Sequence, residues 1–135
     1  MREEKVLSIR PILDIETAES STFEQFQNAT LRPVLKFQHD LFVDIFKNYI
    51  EKRKNTFATL SKGQRLAYIA DSVKEDFKFK NRLLGVVIGH FTTVEFAVFS
   101  EHEAELTRRL TALLVQRLQS VVTEFVQKVE KIEEK

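Results

Sequence analysis

Along this chain apolar residues recur at spacings of three and four far more often than at two, a pattern that predicts helices. The clearest run is Val34, Leu35, Leu41, Phe42, Ile45, Phe46, Tyr49 and Ile50, one face of an amphipathic helix reaching to about residue 54. Leu66, Ile69, Val73 and Phe77 mark the inward face of a second helix over 62–78. Leu106, Leu110, Leu113, Leu114, Leu118, Val121, Val122, Phe125, Val129 and Ile132 form the stripe of a long last helix. At the rise of an α-helix it would extend roughly 45 Å, beyond what one small domain covers, so its end is expected to pack on a second copy of the chain.

Local signals set the helix boundaries. Ser61 and Gln64, Thr92 and Glu95, and Ser100 and Glu103 all have the spacing of a capping box. The cap-like "SST" at 20–22 opens a helix carrying Phe23, Phe26 and Leu31, and Pro33 leaves two options: Thr30 caps a new helix, or one helix bends there. Before it, Leu7, Ile9, Pro11, Leu13 and Ile15 alternate with mostly polar neighbours, which reads as an extended arm. The expected architecture is all-α: a bundle of about five helices, two of them short, with an extended N-terminal arm at 1–19, a single domain at 20–135 and a long C-terminal helix.

The stretch "LLGVVIGHFTTVEF" at 83–96 departs from the amphipathic rule, being apolar on all sides from Leu83 to Ile88. That predicts a central, buried helix, with Gly85 and Gly89 on one face where a neighbouring backbone comes close. On this reading Leu at either glycine costs the overpacking range of about 1–3 kcal/mol. His90 is read as the residue that closes this helix, its imidazole favoured by the helix dipole. The same bare face beside His90 and Glu95 is the candidate ligand-binding site.

Composition narrows the chemistry. The chain has 135 residues, 43% hydrophobic and 30% charged, enough for one domain with a core. Twelve Phe against two Tyr and no Trp put most aromatics in apolar packing. With no cysteine there is no disulfide, thiolate nucleophile or zinc-thiolate site. The start "MREEKVLSIRP" lacks a secretory pattern, and no apolar run approaches the roughly 20 residues of a membrane span, so a cytoplasmic protein without membrane attachment is expected.

The net charge of +1 is uneven, residues 47–82 holding ten basic and four acidic side chains. Lys52, Arg53, Lys54, Lys78, Lys80 and Arg82 read as solvated helix ends, and the overall balance is not that of a nucleic-acid binder. No Glu-x-x-His pair, no His-Glu-x-x-His motif, no phosphate loop and no nucleophile elbow occurs. Hence no catalytic residue, metal site or cofactor is assigned. Arg117 falls beside the last apolar stripe and is expected to pair with Asp40 or Asp44 across a homodimer interface that also uses Leu118, Val121 and Phe125.

The segments "NATLRPVLKFQHDLFVDIFKNYIEKRKNTF", "LLGVVIGHFTTVEF" and "LTRRLTALLVQRLQ" together resemble a family of small uncharacterised all-helical bacterial proteins, some labelled glyoxalase. The likeness covers roughly 26–120 and implies a compact helical unit; it carries over no catalytic residue. A glyoxalase fold would need βαβββ units with His and Glu metal ligands on strands, and this pattern has neither. The functional expectation is a non-catalytic cytoplasmic interaction or scaffold protein acting as a homodimer, with a protein partner possible. The alternatives are a small-molecule or nucleotide-sensing module around Gly85, Gly89 and His90, or an enzyme of the glyoxalase label.

Overall fold

The computed structural model describes residues 1–13, 21–54 and 56–125. Among these, eight α-helices and no strand are found: α1 (Arg2–Ile9), α2 (Thr22–Phe26), α3 (Arg32–Phe37), α4 (His39–Glu51), α5 (Lys62–Glu75), α6 (Phe77–Ile88), α7 (Thr93–Glu101) and α8 (Glu103–Ser120). The all-α class holds, with more and shorter helices than the five expected. One buried cluster runs from Phe26 through Phe42, Phe46, Ile50 and Phe57 to Leu83, Leu106, Leu110, Leu114 and Phe125. Phe46 lies at its centre, its ring in contact with Tyr49, Phe57, Tyr68, Phe79 and Phe125.

The N-terminal segment is helical rather than extended. Glu3, Glu4, Lys5 and Leu7 are strong helix formers, the two acids sit in the first turn where the dipole favours them, and the buried Val6 and Arg10 stand four apart. The alternating Leu7 and Ile9 that suggested an arm both face solvent. Arg10, which precedes Pro11, turns to extended backbone and ends the helix, the conformation that the proline ring favours in the residue before it.

Pro33 is the second residue of α3, inside the first turn where proline is tolerated. Gln27–Leu31 forms a π-helical turn linking α2 to α3, with right-handed helical backbone throughout. Widening the turn accommodates a residue that lacks an N–H and crowds the carbonyl four positions back. Thr30 is therefore no cap; its hydroxyl serves another purpose below. The helix expected over 34–54 is instead divided at Gln38, where the backbone leaves helical geometry.

Two of the three capping boxes form, Ser61 with Gln64 and Thr92 with Glu95. The third does not: Ser100 donates to Ala97 O, α7 runs on to Glu101, and His102 joins it to α8. α5 stops at Asp76, whose side chain accepts from the Phe79 amide to open α6, so Phe77 begins a new helix and is 68% exposed rather than inward.

The last helix is the largest departure. α8 ends at Ser120, about 27 Å from its start, because Val121 leaves helical geometry; helical backbone resumes over 122–125, where the described residues end. Leu118 and Phe125 are wholly buried in the chain's own core and Val121 is partly covered, so these three have little to present to a second copy. Val129 and Ile132 lie outside the described residues.

Candidate functional site

α6 and α7 meet at the segment Gly89–Thr92, and α1 is fastened across that junction by charges matched to the helix ends. Arg2 donates from Nε and Nη2 to Phe91 O, at 3.1 and 2.8 Å, and from Nη2 to Gly89 O at 2.9 Å, a cation at the C-terminus of α6. Its neighbour Glu3 accepts from the Thr93 amide and hydroxyl at 2.7 and 2.8 Å, an anion at the N-terminus of α7. The Thr93 amide holds the Glu3 carboxyl below its ordinary value, against a smaller opposing effect of burial.

Behind them lies a buried ion pair. Arg10 meets Glu95 with two parallel bonds, Nη1 to Oε2 at 2.6 Å and Nη2 to Oε1 at 2.8 Å, with side chains 5% and 15% exposed. Oε1 also accepts from the Thr92 amide at 2.9 Å, and Oε2 from the Thr30 hydroxyl at 2.9 Å. Burial works to raise the Glu95 pKa, but the Arg10, Thr92 and Thr30 donors outweigh it and the carboxyl is held below its ordinary value. Glu95 thus joins the first helix, the π turn and its own helix cap.

This decides what the predicted site residues do. A carboxylate has about four acceptor positions, and all four of Glu95's are filled by the protein. It is a structural anion, with nothing free to act as a base. His90 is buried, stacks on Phe37 with ring centroids 4.4 Å apart, and gives its carbonyl to Arg10 Nη2 at 2.7 Å. Its Nε2, like Arg10 Nε, is buried without a hydrogen-bond partner among the described residues. Burial first, then the charges of Arg10 and Arg2, lower the His90 pKa against a smaller pull from Glu95, so the ring is neutral rather than the imidazolium expected at a helix end.

The glycines are also placed differently. Leu83 and Val87 point inward, but Gly85 and Gly89 are exposed, so α6 lies at the surface with a bare outer stripe. A Cβ at Gly85 would meet nothing within 4 Å, and one at Gly89 would meet only carbonyls of its own helix, the nearest at 3.1 Å. No neighbouring backbone uses these positions. The structure gathers Gly89, His90 and Glu95 at one corner and leaves Gly85 a turn away in solvent.

Two further clusters escaped the reading of the sequence. Tyr49 donates to Asp76 Oδ2 at 2.8 Å, and Arg53 reaches the same oxygen at 3.0 Å while lying 3.5 Å over the Tyr49 ring. The Tyr49 bond is the main cause of a lowered Asp76 pKa, and burial raises that of Tyr49. An open depression of about 640 Å³, lined also by Tyr68, Asp71 and Glu75, adjoins them. The second cluster holds Arg117, which meets no carboxylate within 4 Å among the described residues; within the chain neither Asp40 nor Asp44 pairs with it, and the pairing expected across an interface is a matter between two copies. Its Nη1 lies 3.2 Å from His39 Nδ1. A guanidinium can only donate, so this contact is a hydrogen bond in the tautomer that carries the ring proton on Nε2.

Among the described residues no group of three or more His, Asp or Glu could hold a metal ion, and no helix is long and apolar enough to cross a membrane. The chain matches no family model, no curated protein and no solved structure.

Proposed function

We propose that the protein is a non-catalytic interaction or scaffold protein that works as a homodimer in the cytoplasm, as a member of the small helical bacterial family its sequence resembles. The observation that supports this reading is the apolar surface around the α1 corner. Leu7, Ile9, Phe37, Leu41, Val94 and Phe96 are all large, apolar and exposed. Contacts relate three of them to one place: Phe37 stacks on His90, Val94 follows the amide that Glu3 holds, and Leu7 lies one turn beyond Glu3 on α1. Apolar side chains gathered in this way mark association surfaces more often than they mark open solvent.

The dimer proposed here uses α1 and its surroundings, in place of the end of α8, whose side chains are committed to the core. Sedimentation or light scattering across a concentration series tests it. The wild-type protein is expected at twice the chain mass, and Leu7→Asp combined with Leu41→Asp is expected at the chain mass with unchanged helix content. A wild-type monomer that also captures no specific protein would overturn the reading.

A further inference from the structure

Between the π turn with α3 on one side and α8 on the other lies a cleft of about 230 Å³, lined by Arg32, Leu35, Leu113, Gln116, Arg117 and Ser120. Its charge is one-sided. Arg117 is partly buried, and burial together with the positive charge of Arg32 lowers its pKa, with no carboxylate working the other way. Arg32 is held by a bond from Nε to Asn28 Oδ1 at 3.0 Å, and its terminal nitrogens bond no described residue. Among the described residues neither guanidinium has an acidic partner. Elsewhere in this protein Arg10, Arg53, Arg108 and Arg109 have one, while Arg2 and Arg65 bond backbone carbonyls instead.

Two guanidiniums sharing a partly desolvated cleft without a counter-charge are destabilising to the empty fold. We propose that the cleft is a binding site for a small phosphate-type oxyanion, held between the forks of Arg32 and Arg117. Planar forks from opposite walls suit a tetrahedral dianion, each fork offering parallel N–H donors to two oxygens. Gln116 can add an amide donor. The Ser120 hydroxyl is turned to the Arg117 carbonyl at 2.6 Å and is not a donor to the site. Arg117 is steadied by His39, which holds Nη1 and leaves Nη2 and Nε for the ligand. Leu35 and Leu113, both buried in the core, close the cleft from beneath.

The site goes beyond the interaction reading and stands or falls separately from it. The experiment is titration calorimetry with thermal unfolding of the full chain, using inorganic phosphate, phenyl phosphate, sulfate and succinate as probes, with the wild type, Arg117→Met and Arg32→Met. Saturable binding of phosphate or phenyl phosphate by the wild type is expected, weakened about tenfold or more in each variant. Tighter binding of phenyl phosphate would identify a monoester as the ligand class, and equal binding free phosphate. Arg117→Met keeps the apolar stem and removes the unpaired charge, so the unliganded variant is expected to melt no lower than the wild type. Absence of saturable phosphate binding, binding that survives Arg117→Met, or succinate bound as tightly as phosphate would each overturn the proposal.

Discussion

Breaking the Arg10–Glu95 pair tests whether the α1 corner is held as described. Arg10→Met removes two of the four donors on the Glu95 carboxylate and leaves the Thr30 hydroxyl and Thr92 amide. An unpartnered buried charge costs about 3–5 kcal/mol, and two surviving donors reduce this to about 2–3 kcal/mol. Glu95→Gln leaves the Arg10 guanidinium, 5% exposed, with no counter-charge and only the His90 carbonyl and one amide oxygen as acceptors. It also places an amide NH₂ where an oxygen accepted, at a cost of about 3–4 kcal/mol. The double variant has neither stranded charge, so its loss should fall short of the sum by about 2 kcal/mol or more.

Urea unfolding followed by far-ultraviolet circular dichroism measures all four proteins, and unchanged m-values certify that α1 has not simply come away. The pH dependence supplies an independent check. Because the folded pKa of Glu95 lies below the ordinary value of 4.5, its contribution is present above that value and is lost as pH falls through the folded one. The coupling should therefore shrink only in acid. Single substitutions costing under about 1 kcal/mol, or losses that simply add, would refute the account of a saturated, buried pair.

His90→Phe should leave the neutral-pH stability unchanged or raised by up to about 1 kcal/mol, since it keeps the stack on Phe37 and removes a buried nitrogen without a partner. The folded pKa of His90 is depressed below 6.5, so the wild type should lose stability as pH falls below that value and His90→Phe should lose less; parallel melting curves would contradict this. Gly85→Ala should stabilise by about 0.5–1 kcal/mol, because the added methyl meets open space in an exposed helix position. A loss in the same urea assay would restore the close-approach reading of that glycine.

What the sequence determined by itself is what lies within a turn or two of helix. Apolar spacing placed α4, α5 and α8, and the Ser61–Gln64 and Thr92–Glu95 caps formed as written, because donor and acceptor stand three residues apart and need no other part of the chain. The local rule failed where neighbours compete: Ser100 found a carbonyl in its own helix, and α1 followed the helix propensity of its charged residues over the alternation of Leu7 and Ile9.

Tertiary structure decided the rest. Whether α6 is central or superficial depends on what packs against it, and a stretch apolar on every side carries no mark of the face left bare. Arg10 and Glu95 are 85 positions apart, and Arg117 and His39 are 78 apart. No spacing rule relates such residues. Only the folding of α1 over the α6–α7 junction, and of α8 against the π turn that leads into α3, turns separated charges into a saturated ion pair at one site and an uncompensated pair of arginines at the other.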